Sequence, residues 1–497
     1  MPNTFAYVVL FSWPLVVLIL FRRLPVPSAL VWSVLGGYLF LPRETGIDLP
    51  ILPPLDKETI PALSAAVMCL NLRRAPRRQR GAEVSLPASR ALRRPVLVCL
   101  GVLAVTPVLT FMNNSEPVRA PGLFIPGIRP YDVGSILLTT LMNLVPFLLA
   151  RRFLASREAQ VTLIKAFVAA GLIYLLFIFV EVRLSPQLNR WLYGFHAHSF
   201  AQHIRFDGFR PMVFLKHGLR VGIFMAVAVL AAATLWRIER AEWLSGNRKR
   251  GKRPPGRWLL ATCLLLVGLF VSKTVGAFLI TIILLPVVLL AGRRVQVIVA
   301  AVIAVAVLVF PMLRGAGLVP TDTLVTWAAS LDSDRAQSLQ FRFDNEDILL
   351  ARANEKPLTG WGSWGRNRVF DPETGRDLSV TDGTWVIFMG TSGWLGYLAW
   401  FGLLTLPILA LVRRRDLDPV MAGLAVMLAA NLVDLIPNSG LTPVTWLIAG
   451  SLSASVRQEK GAIASVAGDP AGRRNDRPGK APQAATARRS GSAYSRF

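Results

Sequence analysis

Long apolar runs recur along the chain and are separated by shorter polar stretches that are rich in arginine. A helix needs about 20 apolar residues to cross the hydrocarbon of a bilayer, so runs of this length predict membrane-spanning helices. Backbone polar groups find no water in that layer, which makes a helix the structure expected for every run. Three of the runs are short, so the pattern predicts 12 or 13 spans. The predicted spans are 5–21, 27–41, 59–71, 95–111, 132–150, 161–180, 213–236, 258–272, 276–291, 295–312, 385–411, 418–436 and 440–455.

The composition agrees with this interpretation. Of the 497 residues, 53% are hydrophobic and only 17% are charged, and the mean hydropathy is +0.49. Soluble proteins keep about a quarter of their residues charged, so much of this surface must face something other than water. We therefore predict an all-α, polytopic helical membrane protein in a lipid bilayer, with a large loop on the periplasmic side.

Basic residues are concentrated in a few of the predicted loops. The net charge is +26, from 55 Lys and Arg against 29 acidic residues. Eight arginines fall in 72–94 and eight basic residues in 237–257, and further arginines end helices at 151–152, 293–294 and 413–415. Lys and Arg collect in cytoplasmic loops, which predicts that these segments are cytoplasmic. Because this rule accounts for the high positive charge, we predict that the protein does not bind nucleic acid.

The remaining loops, 42–58, 112–131, 181–212 and 313–384, are predicted to lie on the opposite side. In a bacterial inner membrane that side is the periplasm. Residues 456–497 are basic and poor in large apolar side chains, which predicts a disordered cytoplasmic tail. The predicted segments are N-terminal helices with the first basic loop at 1–90, a transmembrane core at 91–312, a periplasmic loop at 313–384, C-terminal helices at 385–455 and the tail at 456–497.

The segment 313–384 is the strongest candidate for chemistry. It contains eleven acidic and eight basic residues. Loops longer than about 15 residues are usually functional or disordered, and the glycine- and aromatic-rich stretch TGWGSWGRNRVFD favours an ordered one. The alternative is a solvated loop without a site.

Part of this segment has a recognisable pattern. It reads RFDNEDILLARANEKPLTGWGSWG and later TDGTWVIFMGTSGWLG. The pattern resembles the O-antigen ligase / O-antigen polymerase superfamily, whose members are multi-helix enzymes of bacterial inner membranes. Members show an Arg, an Ala late in a helix, Pro-x-x-Gly-x-Gly, and a His before a helix with Gly-x-x-Gly. The matching positions are Arg342, Ala351, Pro357, Gly360, Gly362, Trp385, Gly393 and Gly396, and the resemblance covers roughly residues 90–455.

Two weaker matches lie upstream. Arg205 and Gly208 in RFDGFRP fit an Arg-x-x-Gly that family members carry before a helix. The segment KTVGA, with Gly276 and Ala277, corresponds to a Ser-Arg-Gly-Ala step of the family, and Lys273 is its nearby cation. The resemblance implies that Arg205 and Lys273 contact the substrate.

Asp382 stands where the family usually has histidine. In ligases of the family, this histidine is thought to take the proton from the acceptor hydroxyl. A carboxylate that reaches the hydroxyl can act as the same general base. The alternative is that Asp382 caps the helix that follows, since Asp favours N-cap positions.

Arginines in the predicted periplasmic loops suit a phosphate-containing donor. The guanidinium group binds phosphate through two parallel hydrogen bonds, and it stabilises a leaving diphosphate that gains charge in the transition state. We predict Arg342 as a catalytic residue and Arg205 and Arg210 as donor-binding residues. The alternative for each is an interfacial arginine that only snorkels or pairs with an acid.

The stretch TGWGSWG offers Trp361 and Trp364 beside flexible glycines. Aromatic faces stack on sugar C–H groups, so both are predicted substrate-binding residues, and an interfacial aromatic belt is the alternative. The stretch lacks the Lys-Ser/Thr of a nucleotide-binding loop. A preassembled, lipid-linked donor is therefore expected rather than a nucleotide sugar.

The four histidines, His196, His198, His203 and His217, fall within 22 residues. They allow a zinc site, a catalytic or substrate-contacting histidine, or interfacial packing. No acidic residue completes a helix-spaced zinc set, and the three cysteines lie inside apolar runs. We predict no metal and no cofactor.

Together these features predict a metal-independent glycosyl transferase that joins undecaprenyl-diphosphate-linked repeats into exopolysaccharide or O-antigen at the periplasmic face. Its substrates are then a lipid-linked glycan donor and a glycan acceptor. A chain-length regulator or a repeat flippase is the protein partner that this interpretation allows. One alternative is ligase-type transfer to a lipid A-core or another acceptor. A non-enzymatic transporter is a second alternative, although its expected rows of charged residues inside the helices are sparse here.

Overall fold

The computed structural model describes residues 1–48, 53–74, 92–196, 203–205, 208–244 and 256–454. Of these described residues, 73% are helical. The helices are α1 (Thr4–Arg23), α2 (Val26–Phe40), α3 (Thr59–Arg74), α4 (Arg93–Met112), α5 (Pro130–Phe153), α6 (Arg157–Leu184), α7 (Leu188–Tyr193), α8 (Gly218–Leu244), α9 (Gly256–Val271), α10 (Val275–Leu290), α11 (Arg293–Gly315), α12 (Thr321–Leu331), α13 (Ser333–Asn354), α14 (Thr384–Val412), α15 (Pro419–Asp434) and α16 (Pro443–Ala454). Two antiparallel hairpins pair β1 (Val118–Ala120) with β2 (Leu123–Ile125) and β3 (Ile204–Arg205) with β4 (Gly208–Phe209).

The predicted helical membrane architecture is confirmed. Each of the thirteen predicted spans coincides with a helix, and α7, α12 and α13 are helices outside those spans. Among the described residues, seven helices are long and apolar enough to cross a bilayer, and six shorter apolar helices accompany them. The seven are α1, α4, α5, α6, α8, α11 and α14.

The core of the protein is built around α8 and α15. Helix α8 packs against α6, α9, α10 and α15, and its central part, from Val221 to Leu235, is completely buried. A helix that is apolar on every side belongs in such a position. Small residues allow close packing of these helices: a Cβ added to Gly423 of α15 would lie 2.3 Å from Cγ2 of Thr234.

One end of the helices gathers the arginine-rich segments, and we call it the basic end. Arg151 donates to the carbonyl of Ser453 at 3.0 Å, and Arg157 pairs with Asp418 at 2.9 Å. Arg237 donates to a carbonyl in the α10–α11 turn at 2.9 Å. Segments that the sequence assigns to the cytoplasm therefore contact one another. That this end faces the cytoplasm stays a prediction from the arginine distribution.

The opposite end gathers the segments assigned to the periplasm, and we call it the loop end. The hydroxyl of Tyr193 donates to the carbonyl of Phe40 at 2.7 Å, and Nζ of Lys57 donates to the carbonyl of Phe214 at 2.8 Å. The backbone N–H of Asn3 donates to Tyr193 at 2.9 Å. The beginning of α1 is therefore at the loop end.

The segment 313–384 folds onto the loop end as two helices and a glycine-rich loop. Arg366 in that loop is 1% exposed and donates to the carbonyls of Pro126 and Glu116 at 2.7 and 2.8 Å. These bonds fasten the loop to the connection between α4 and α5. Most of the predicted basic loops 72–94 and 237–257, and almost all of the predicted tail, lie outside the described residues.

The sidedness can be tested by reporter fusions. We expect alkaline phosphatase fused after residue 340 to be active, because α13 is at the loop end, and phosphatase fused after residue 250 to be inactive. A fluorescent protein at residue 497 should fluoresce. An inactive phosphatase at 340 together with an active one at 250 would invert the orientation.

Candidate functional site

The loop end brings together the start of α14, the middle of α13 and the turn that follows α15. The N–H of Thr384 donates to the carbonyl of Leu435 at 3.0 Å, and its hydroxyl donates to the carbonyl of Asn438 at 2.7 Å. The unsatisfied donors of the first turn of α14 are thus bonded by the α15–α16 turn. This contact fixes the position of Asp382, two residues before the helix.

Arg342 and Asp382 lie next to each other in this structure. Nε of Arg342 is 3.7 Å from Oδ2 of Asp382, and the two side chains are 28% and 41% exposed. Nη1 of Arg342 also donates to the carbonyl of Pro437 at 3.2 Å and lies 3.5 Å from Oδ1 of Asn438. The two predicted catalytic residues, 40 positions apart in the chain, therefore form one partly exposed, oriented pair.

Asp382 does not cap α14. The N-cap residue is Gly383, and no side chain bonds to the first turn there. The Asp382 carboxylate faces Arg342 instead. The capping role is therefore not observed, and the role of Asp382 as a base stays a prediction.

Two further charged residues, missed from the sequence, surround this pair. Asn438 donates to Oδ1 of Asp434 at 2.8 Å, and Nη2 of Arg220 donates to the carbonyl of Ser439 at 3.1 Å. We call Arg342, Asp382, Arg220, Asp434 and Asn438 the charged cluster. A signal was present in the sequence, since Arg220 and Asp434 are charged residues within the predicted spans 213–236 and 418–436, where charge is costly and usually functional.

Positive charge extends from this cluster toward the start of α3. Arg43 pairs with Glu58 at 3.3 Å, and Lys57 is 2% exposed. Burial, and next the nearby Arg43 guanidinium, lowers the pKa of Lys57 to about 7. Lys57 therefore gives up part of its charge near neutral pH, and a bound anion would restore it.

Glu346 lies one helical turn after Arg342 in α13, near the Arg342–Asp382 pair. Its Oε1 accepts a hydrogen bond from Nε1 of Trp385 at 3.3 Å, and its Oε2 is 3.8 Å from Nε of Arg314. Burial raises the pKa of Glu346 to about 7. These two contacts hold Trp385 and Arg314 in place. Because Glu346 is only 5% exposed, its carboxyl group is less accessible to a substrate than that of Asp382.

The other predicted basic residues occupy different positions. Arg205 is on β3, and Gly208 is its pairing partner on β4, but the side chain of Arg205 lies outside the described part of the chain. Arg210 is 7% exposed and its side chain packs along Gly218, where an added Cβ would be 2.7 Å from its Nε. Its burial argues against direct contact with a substrate. Lys273 lies in the α9–α10 turn with a positive φ of 54°.

That turn is on the same side of the molecule as the charged cluster. The hydroxyl of Thr274 donates to the carbonyl of Gly218 at 3.3 Å, and a Cβ on Gly222 would be 2.4 Å from Cγ2 of Thr274. The turn that carries Lys273 therefore packs against the first turn of α8, which also carries Arg220.

The two predicted tryptophans have different surroundings. Trp361 donates through Nε1 to the carbonyl of Arg352 at 2.7 Å, and its ring lies 3.3 Å from the Arg352 guanidinium carbon and 4.5 Å from Nζ of Lys356. These contacts make Trp361 an anchor of the loop. Trp364 is 53% exposed and lines an open cleft, so it is the tryptophan available for stacking.

A break in α14 at Gly393 explains how this matched glycine contacts the Pro-x-x-Gly-x-Gly motif. Gly393 has φ 61° and ψ −165°, which interrupts the helix. The N–H groups of Trp394 and Leu395 consequently donate to the carbonyls of Pro357 and Leu358, at 2.7 and 3.2 Å. An added Cβ on Gly393 would be 2.4 Å from the carbonyl carbon of Leu358. Only glycine fits both the backbone angles and the space.

The same break leaves two carbonyl groups of α14 without helical partners, and N–H groups of the glycine-rich loop donate to them. The N–H of Trp361 donates to Gly390 at 2.8 Å, and the N–H of Gly362 donates to Thr391 at 2.9 Å. Gly360 has φ 69°, and a Cβ there would lie 2.5 Å from the backbone of Thr391. The Pro-x-x-Gly-x-Gly loop is therefore inserted into the broken helix and takes over its lost hydrogen bonds.

No protein-family model matches this sequence. A search of curated proteins also finds no significant match. The resemblance to the O-antigen ligase / O-antigen polymerase superfamily thus rests on the motif residues alone and stays a prediction.

The histidine segment is described only in part. His203 is 1% exposed, and its ring centroid is 5.9 Å from that of His217. His198 lies outside the described residues. Burial of His203 favours the packing role among the three that the sequence allows.

The fit of the loop into α14 can be tested at Gly393. We expect Gly393→Ala to destabilise the purified protein by about 1–3 kcal/mol or more, because the backbone angles suit only glycine. The measurement is the thermal unfolding midpoint in detergent. The control is Gly101→Ala in α4, where an added Cβ meets no atom within 4 Å. Equal midpoints for the two variants would contradict the account.

Proposed function

We propose that the protein is a membrane glycosyl transferase that joins undecaprenyl-diphosphate-linked oligosaccharide repeats into exopolysaccharide or O-antigen. In this proposal the enzyme lies in a bacterial inner membrane and the charged cluster faces the periplasm. The observation that carries the proposal is the oriented Arg342–Asp382 pair at the loop end. The motif residues around it support the same reaction class.

The proposed reaction transfers a glycan from a lipid diphosphate to a hydroxyl group. The acceptor oxygen forms a bond to the anomeric carbon of the donor, and the bond from that carbon to the diphosphate oxygen breaks. The acceptor proton leaves as the new bond forms. Undecaprenyl diphosphate departs with an additional negative charge, so the reaction needs a base for the acceptor proton and a cation for the diphosphate.

Asp382 has the properties of the base. It is partly exposed, it is not engaged in capping a helix, and Arg342 orients one of its oxygens. Glu346 is an alternative carboxylate with a suitable pKa of about 7. Its burial between Trp385 and Arg314 separates it from an incoming hydroxyl, so we assign the base to Asp382.

Arg342 has the properties of the cation for the leaving diphosphate. Carbonyl and amide oxygens from the α15–α16 turn fix its guanidinium, so little reorganisation is needed when charge develops. Arg220, 3.1 Å from the Ser439 carbonyl of the same turn, adds a second guanidinium nearby.

The polymerase and ligase reactions share this chemistry and differ in the acceptor. The polymerase uses a second lipid-linked repeat and the ligase uses a lipid A-core or a similar glycolipid. The product distinguishes them, because a polymerase yields a ladder of repeats whereas a ligase attaches one preformed chain. A transporter would move the lipid-linked glycan without forming any glycosidic bond.

Arg342 is the first residue to test. We expect Arg342→Ala to abolish high-molecular-weight glycan in cells while the protein still accumulates in the membrane. Arg342→Lys should recover little, because an ammonium group cannot make the planar two-point contact with a diphosphate. The measurement is a glycan gel beside an immunoblot of the membrane fraction. Wild-type polymer from Arg342→Ala would remove the residue from the site.

Asp382 is the second residue to test. Asp382→Asn keeps the shape and polarity of the side chain but cannot accept a proton, so we expect activity to fall by about 10²–10⁴-fold. The thermal midpoint should stay close to that of the wild type, since the carboxylate caps no helix. Asp382→His should retain partial activity, because imidazole is also a base near neutral pH. A fully active Asn variant would exclude Asp382 as the base.

A further inference from the structure

An open cleft of about 800 Å³ lies between α4, α5 and α14, and the glycine-rich loop borders it. Its volume falls in the range of small-molecule binding sites, about 300–1,000 Å³. Trp364 and the break in α14 lie along one wall, and α5 forms the opposite wall. The residues of the charged cluster are not among its lining residues.

The lining of the cleft mixes polar and apolar side chains and carries no positive charge. Along its described walls there is no Lys, Arg or His, and Asp48 and Asp132 are its only charged residues. Hydroxyl or amide groups come from all three helices, for example Thr106 of α4, Thr139 of α5 and Ser392 of α14. Such a lining repels a phosphate and offers many uncharged hydrogen-bonding groups.

Aromatic rings complete the walls. Trp364, Phe388, Trp400 and Tyr131 all line the cleft. The negative face of an aromatic ring attracts polarised C–H groups, and the hydroxyl and carboxylate groups beside it bond to O–H groups. A saccharide carries both kinds of group on one small ring.

A polar stripe continues down α5 into the bilayer. Ser135, Thr139 and Asn143 are spaced four residues apart and share one face of the helix. Their side chains make no hydrogen bond to another described residue, and Thr139 and Asn143 are exposed. Asn143 is 13 residues beyond Pro130, which places it about 20 Å along the helix. An amide facing lipid at this depth is costly, so the stripe favours a polar occupant over lipid.

We propose that this cleft, the hydroxyl cleft, binds an uncharged saccharide chain. The walls disfavour a diphosphate because they lack cations, and the unbonded polar side chains along α5 favour a saccharide over an acyl or prenyl chain. The identity of this saccharide as the glycan acceptor or the growing product rests on the proposed function. The binding of a neutral saccharide to the cleft is independent of the proposed function.

Cysteine labelling can show what fills the hydroxyl cleft. Thr139→Cys and Asn143→Cys are placed on the cleft side of α5, and Leu141→Cys, at a residue that is 52% exposed, is the control at the same depth. The three native cysteines give the background. We expect a membrane-impermeant, charged thiosulfonate to label the two cleft positions and not Leu141→Cys.

Protection by sugars then tests the ligand class. The probes are three neutral hexasaccharides: maltohexaose, cellohexaose and laminarihexaose. At about twice the dissociation constant, a bound probe should slow the labelling of Thr139→Cys about threefold. Pyrophosphate at the same concentration should have no effect. Trp364→Ala should reduce the protection, and Trp364→Phe should keep most of it.

Several results would overturn this inference. If none of the three hexasaccharides protects, the cleft does not bind neutral saccharides. Labelling only by a lipid-soluble maleimide would mean that lipid fills it, and a disulfide between two Asn143→Cys chains would mean that a second copy covers it. The assay needs no transfer activity, so Asp382→Asn protein should be protected like the wild type. Failure here is therefore separate from failure of the proposed reaction.

Discussion

Arg342 is the point at which three distant parts of the chain are held together. Its guanidinium group comes from α13, it donates to the α15–α16 turn at Pro437, and it faces Asp382 ahead of α14. A largely buried guanidinium must have its donors satisfied, since an unpaired charge there is costly. Meeting that requirement aligns the start of α14, and the position of Asp382 follows from it.

The broken helix α14 connects this cluster to the hydroxyl cleft. Its first part carries Trp385, which donates a hydrogen bond to Glu346, near the Arg342–Asp382 pair. Later residues of the same part, Phe388 and Thr391, line the cleft. The break at Gly393 and the inserted loop let one helix border two surfaces of different chemistry. One carries charges of both signs and is our proposed diphosphate site, and the other lacks cations and is our proposed saccharide site.

The length of the apolar runs was sufficient to predict the helical membrane fold, because about 20 continuous apolar residues cross the hydrocarbon as a helix that pairs its own backbone groups. The thirteen predicted spans coincide with helices for this reason. The motif residues also pointed to the region of the site, and the structure brings Arg342 and Asp382 together. The contribution of Arg220 and Asp434 was missed, because a residue at the end of an apolar helix has no local pattern that reveals its partner.

Other features depended on tertiary contacts that no spacing along the chain encodes. The two tryptophans of TGWGSWG are equivalent in the sequence, yet Trp361 is held by Arg352 and Trp364 is exposed. Arg210 carries the same group as Arg342, but it is buried along Gly218. The polar stripe on α5 is inconspicuous in an apolar helix until the opposite wall of the cleft is seen.

The central claim is that the charged cluster transfers a glycan from a lipid diphosphate. The direct measurement uses purified protein in proteoliposomes that contain only undecaprenyl-diphosphate-linked repeats, and it follows glycan length and free undecaprenyl diphosphate together. The account predicts longer glycans, with one lipid diphosphate released for each new linkage. Repeats that cross the bilayer or stay in place without any new glycosidic bond would contradict it.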